Sequence, residues 1–317
     1  VTKLRHVNIA DAVTEVTASV NSSKELLTKD TDVKLGQTDK TQFTKITDGT
    51  NDASINVTGA LLTSNFLLEV AKGNVPGHSH INKFGHNQTA VAGDDVWGGG
   101  GVYVYYPTIA VPVDLVSTST ADDVGGTGAL QVEVEGLGEN WEEQSETVIL
   151  DGTGVVQLSL NYVRLFRAFV TEAGTGNVNA GTITVYARAT GSGVTAGEVG
   201  IHLGAEDGQT LHAIYTIPGG KTGYFIKGYV GLKNSTFQGE DGTFRWLMRI
   251  NNGVNGAWLV QGEVGLVNIG NSYWQYEYGI PAGPLPERTD IRIQLHSATD
   301  TMDTVGGFDM LLVGDGF

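Results

Sequence analysis

From about Gly128 to its last residues, the chain is written in steps of two. Val132 and Val134 alternate with Glu133 and Glu135, and Ile183, Val185 and Ala187 alternate with Thr184, Tyr186 and Arg188. Phe244, Trp246, Met248 and Ile250 oppose Arg245, Leu247 and Arg249; Ile291, Ile293 and Leu295 oppose Arg292, Gln294 and His296. Successive side chains of a strand point to opposite faces, so this spacing sets one face on a core and the other towards water. Asp151-Gly152, Gly219-Gly220, Asp241-Gly242, Asn252-Gly253 and Asn255-Gly256 separate the runs and supply the positive φ of tight hairpins. Roughly a dozen short strands result, with no convincing helix among them, which means a sandwich or jelly-roll barrel. The expected fold is all-β: two consecutive antiparallel β-sandwich or jelly-roll domains, 101–190 and 201–317. Their linker falls in the glycine-rich 191–200, and one large barrel with an insertion is the alternative topology.

Residues 1–98 read differently. Ile9, Val13, Val16 and Val20 form a weak apolar helical stripe, and 64–72 suggests a short helix capped by Ser64 and stopped by Gly73. The segment 74–87 reads as ordered loop. So long a stretch with so few apolar residues cannot fold alone. It is expected to be an extended N-terminal assembly arm, laid along its own sandwiches or a neighbouring subunit.

Composition removes whole classes of function. Glycine supplies 45 of 317 residues, about twice the usual share, yet no Gly-X-Y period exists and 40% hydrophobic content suffices for a core. Nineteen Lys and Arg against 35 Asp and Glu give a net charge of −16. That sign argues against a nucleic-acid partner and against adhesion to anionic membranes. With no cysteine, disulfides, thiolate catalysis and zinc-thiolate sites are out. The first residues lack a signal-peptide apolar run, and no apolar stretch is long enough to span a bilayer.

Chemistry-bearing clusters are few. His78, His80 and His86 are the candidates for a metal set, weighed against histidines in ordinary hydrogen bonds. Asp122-Asp123 and the pair Asp48 and Asp52 are acidic and glycine-flanked, but turns use the same residues and neither shows EF-hand spacing. Glu139, Glu142, Glu143 and Glu146 crowd near Trp141, where a glycosidase would need two facing carboxylates; a solvated strand edge is the simpler reading. No nucleophile motif or complete phosphate loop occurs. No cofactor, no metal and no enzymatic activity are expected. In 271–279, Trp274, Tyr276 and Tyr278 share one face and Tyr273, Gln275 and Glu277 the other. One set is expected in the core; the first is the candidate glycan or partner surface if exposed.

Several tracts carry a resemblance: Ile46-Thr47-Asp48-Gly49-Thr50, then 69–87 (EVAKGNVPGHSHINKFGHN) and 117–150, followed by 166–186 (FRAFVTEAGTGNVNAGTITVY) and 208–218 (GQTLHAIYTIP). Together they are similar to a family of tailed-bacteriophage virion structural proteins and spread over somewhat more than half of the chain. The resemblance implies a particle component without enzymatic activity, and its matching positions are turns and strand faces, so it transfers no catalytic residue. It implies a location in the virion, after synthesis in the host cytoplasm. It also implies partners: other copies of the chain, expected as a homotrimer, and virion proteins such as the major capsid protein. The preferred role is a capsid decoration, cement or head-fibre protein. A tail or receptor-binding component on host surface glycan and a double jelly-roll capsid shell protein are the alternatives.

Overall fold

The computed structural model describes residues 46–47, 52–53, 66–233, 240–251, 256–268 and 271–316. The stripe from Ile9 to Val20, the cap Ser64 and Asp48 lie outside them. A minimal hairpin pairs β1 (Ile46–Thr47) with β2 (Asp52–Ala53). The one described α-helix, α1 (Phe66–Ala71), falls within the expected 64–72. It ends as its sequence dictates: Gly73 adopts φ 74°, and its N–H donates to the Val70 carbonyl at 2.9 Å.

The residues from Glu69 to Phe317 form one compact unit built of two sandwiches. Its first strand is β3 (His78–Ala90), thirteen residues long. This corrects the reading of 74–87 as loop and of 1–98 as arm throughout: β3 is an integral strand of the second sandwich. Its inward positions are Ile81, Lys83, Gly85 and Asn87, of which only Ile81 is apolar and large, so no alternation betrays it.

In the first sandwich, one sheet runs in the order β10-β9-β4-β7 and the other β6-β5-β8. These are β4 (Val111–Ser117), β5 (Ala129–Leu137), β6 (Glu143–Ile149), β7 (Val156–Tyr162), β8 (Arg164–Ala173), β9 (Ile183–Ala187) and β10 (Val199–Leu203). The alternation holds: Val132, Val134, Ile183, Val185 and Ala187 are all fully buried between the sheets. The expected linker 191–200 holds a turn bridged between Gly191 and Val194, then the start of β10. The chain passes to the second sandwich later, through 204–213.

The second sandwich pairs the sheet β11-β16-β13-β14 with β15-β12-β17-β3. Its further strands are β11 (Ile214–Thr216), β12 (Lys221–Lys233), β13 (Glu240–Ile250), β14 (Leu259–Asn268), β15 (Asn271–Leu285), β16 (Thr289–Ala298) and β17 (Met302–Gly314). Phe244, Ile291, Ile293, Leu295 and Phe308 are fully buried in its core. All described strand pairings are antiparallel, as the alternation predicts. On β13 and β16 the second face departs from expectation, because Leu247, Arg249 and Arg292 are buried too. The first sandwich meets that face: Arg164, which begins β8, reaches Asp290 on β16. Arg245 and His296, further along the same strands, face water and hydrogen-bond each other at 3.1 Å.

Candidate functional site: an aromatic groove and a charged junction

Among the described residues β14 and β15 are the outer strands of their sheets, each with a single strand neighbour, β13 and β12 respectively. Between them the mouth of the second sandwich stays open as a groove of about 530 Å³. Period two on β15 sends Trp274, Tyr276 and Tyr278 into it. Trp274 packs 5.3 Å from Trp246 and lies nearly parallel to Tyr276, with 9° between planes and centroids 6.1 Å apart. Tyr278 meets Tyr276 edge-on at 4.8 Å. Lys227, Gln261 and Glu263 add polar groups to the lining. The structure thus brings together the three aromatic residues singled out in the sequence, but divides their duties. Trp274 and Tyr278 pack partly on the core, while Tyr276 is 50% exposed. On the opposite face Tyr273 is also exposed, lying 6.1 Å from Tyr229.

The histidines do not converge. His78, His80 and His86 lie on one face of β3, but eight residues of extended chain, about 26 Å, separate the first from the last. His86 Nε2 lies 2.7 Å from Asp303 Oδ1, His80 Nε2 lies 3.9 Å from Asp309 Oδ1, and His78 Nδ1 lies 2.9 Å from the Pro76 carbonyl. Among the described residues no group of three or more acidic, His or Cys side chains is placed to hold a metal ion. Asp122 has no free valence for calcium. It accepts from Ser117 Oγ at 2.6 Å and from the N–H groups of Ala129, Ala180 and Gly181 at 2.8, 2.7 and 2.9 Å. Glu139, Glu143 and Glu146 are likewise engaged in framework contacts, Glu139 with Ala110 N–H, Glu143 with Lys221, and Glu146 with Ser159, Leu160 and Tyr162.

The sequence reading missed the charged junction of the sandwiches. Asp290 is wholly buried. Its Oδ1 accepts from Arg164 Nε and from Thr216 Oγ1, both at 2.7 Å; its Oδ2 accepts from an Arg249 terminal nitrogen and from Asn251 Nδ2, both at 2.7 Å. Burial alone would raise its pKa, but the Arg164 and Arg249 guanidiniums outweigh that and hold it below the usual carboxylate range. Nearby, Asp95 accepts from Arg292 and from the Tyr103 N–H, both at 2.8 Å. Here burial wins and pushes the carboxyl up to about 7, against the pull of Arg292. Aromatic rings face the guanidiniums: Tyr106 and Trp258 beneath Arg249 at 4.4 and 4.7 Å, Trp258 beneath Arg292 at 4.2 Å, and Trp141 beneath Arg164 at 4.8 Å. No signal could have revealed this, since a charged residue on an alternating strand reads as a solvated one.

No described helix is long and apolar enough to cross a membrane. No known family model matches the sequence, and no curated protein matches it. In structure the chain is similar to the cowpea mosaic virus top component, at 9% identity over 66% of this chain and 84% of that one, with a TM-score of 0.20. It is similar to infectious bursal disease virus Gt strain at 11% identity, over 80% of this chain and 79% of that one, with a TM-score of 0.20. It is also similar to tripeptidyl peptidase 2 at 8% identity, over 74% of this chain and 20% of that one, with a TM-score of 0.19. Likeness at this level assigns neither a family nor a function.

Proposed function

We propose that the chain is a structural protein of a virion, acting through contacts with copies of itself and with companion proteins. More narrowly, we read it as a capsid decoration, cement or head-fibre protein of a tailed phage. The observation that carries this reading is the open edge formed by β14 and β15. Among the described residues each strand has one side without a strand partner, and together they expose Leu259, Val260, Val267, Tyr276 and Ile280, the last at 85%. A long strand edge dressed with apolar side chains is a pairing site. On a protein of net charge −16, such a patch is best explained by burial against another chain. The resemblance of the sequence tracts to virion proteins points the same way, and the role needs neither catalysis nor cofactor.

Two measurements test it. Sedimentation equilibrium of the full chain is expected to give an oligomer, a trimer by preference, and Val260→Lys with Ile280→Lys to give a monomer that keeps the β-sheet circular dichroism of the unaltered chain. A monomer at all concentrations sinks the reading. Cryo-electron microscopy of the particle decides the narrower role: copies found only at the tail tip eliminate decoration.

The groove favours a second reading, a tail or receptor-binding component on host polysaccharide. Trp274 and Tyr276, with nearly parallel ring planes, suit the flat faces of sugar rings, with Lys227, Gln261 and Glu263 beside them for hydroxyl groups. Glycan-array binding that Tyr276→Ala abolishes without loss of stability is the expected result. Binding that survives that change removes the groove as its seat.

A further inference from the structure

Between the two sandwiches lies a cleft of about 630 Å³, walled by β3, β5, β6, β8 and the segment 209–215. Its lining includes Lys83, Glu135, Glu143 and Arg167, with His80 at the rim. Most of these charges are paired. A terminal nitrogen of Arg167 lies 3.7 Å from Glu135, its other donates to Gln209 Oε1 at 3.1 Å, and Glu143 lies 2.5 Å from Lys221. His80 has Asp309 at 3.9 Å.

Lys83 is the exception. Only 8% exposed, it donates to the Phe166 carbonyl at 3.2 Å and lies 5.3 and 5.5 Å from the ring centroids of Phe166 and Tyr215. Among the described residues no carboxylate stands within ion-pair distance of its Nζ. Tyr215 Oη, on the same wall, is buried with no hydrogen-bond partner among the described residues. His212 adds no charge, since burial foremost and then the charge of Lys83 push its pKa down to about 3.

A buried ammonium with one acceptor and a buried hydroxyl with none both carry a desolvation cost. One incoming group relieves both, provided it accepts hydrogen bonds and carries a negative charge. A phosphate would bring two charges against Glu135 and Glu143, whereas a carboxylate brings one. We propose that this cleft binds a carboxylate, with Lys83 Nζ and Tyr215 Oη as its donors and Gln209 as a neutral neighbour. An acidic side chain of a peptide and a free organic acid present the same chemistry. Burial lowers the Lys83 pKa to about 8, opposed by Glu135 and assisted by Arg167, so the ammonium form prevails at neutral pH. The proposal is independent of the virion reading.

Calorimetric titration of the full chain at pH 6.5 with acetate, and with the peptide acetyl-Gly-Glu-Gly-amide, tests it. Lys83→Met and Tyr215→Phe are each expected to weaken binding at least tenfold, while Lys221→Met changes it less than threefold. Tighter binding of the peptide assigns a peptide source; tighter binding of acetate assigns a free acid. Failure of both probes to bind, or equal binding of the corresponding Gln peptide, overturns the proposal. Lys83→Met can also disturb the fold, so the unaltered chain supplies a second readout. Its affinity for acetate should fall about tenfold per pH unit above about 8 as the ammonium is lost; constant affinity from pH 7 to 9.5 refutes the assignment.

Discussion

Asp95 and His212 are both buried, and burial moves their pKa values in opposite directions. Folded Asp95 keeps its proton up to about pH 7, whereas an unfolded aspartate releases it near about 4. Over that window the folded state binds more protons, so the contribution of Asp95 to stability falls as pH rises. Folded His212 stays neutral down to about pH 3, while the unfolded group takes a proton near about 6.5, so its contribution rises with pH across that range. Asp95→Asn removes the falling contribution alone. The stability of the variant relative to the unaltered chain should therefore climb between pH 4 and 7, by at most about 1.4 kcal/mol per unit. Urea unfolding at four pH values measures it, and a flat difference contradicts the raised pKa.

Among the elements, β3 shows how pairing creates a strand that propensity does not announce. It pairs with β17 from His78 opposite Val313 to Ala90 opposite Met302. Its other side is crossed by 94–97 and 211–213, where His86 N–H donates to the Leu211 carbonyl and Ala213 N–H donates to the Val96 carbonyl. Gly85 sits under that crossing, and a Cβ there would strike the Val96 carbonyl and the Ala213 backbone. Backbone at such a crossing has little freedom to retreat. Gly85→Ala is expected to cost about 1–3 kcal/mol, or more if β3 is displaced. Gly279→Ala, whose Cβ would meet nothing within 4 Å and whose φ is not positive, is the control and is expected to cost far less. A Gly85→Ala chain as stable as the unaltered one would show that the crossing yields.

Across the whole molecule, Asp290 joins what the alternating strands alone would leave as two sandwiches. Arg164 comes from the first and Thr216, Arg249 and Asn251 from the second, all on one carboxylate. The unit 69–317 should unfold in a single calorimetric transition despite holding two cores. Asp290→Asn leaves two buried guanidiniums without a countercharge, at a cost of about 3–5 kcal/mol. It should also separate the two cores into distinct transitions. Two transitions in the unaltered chain would mean that the junction does not couple them.

The all-β class, the antiparallel pairing and the inward residues of β5, β9, β13 and β16 were legible in the chain, because period-two spacing is local and acts before any partner is chosen. That Trp274, Tyr276 and Tyr278 share one face was legible for the same reason, since one strand carries all three. What needed the tertiary structure was everything set by a second element. β3 owes its existence to β17, the open groove to two strand edges without a neighbour among the described residues, and the burial of Lys83, Asp290 and Arg292 to the approach of the two sandwiches. A charge on an alternating strand faces water by default, and only a surface arriving from elsewhere in the chain can make it the centre of a site.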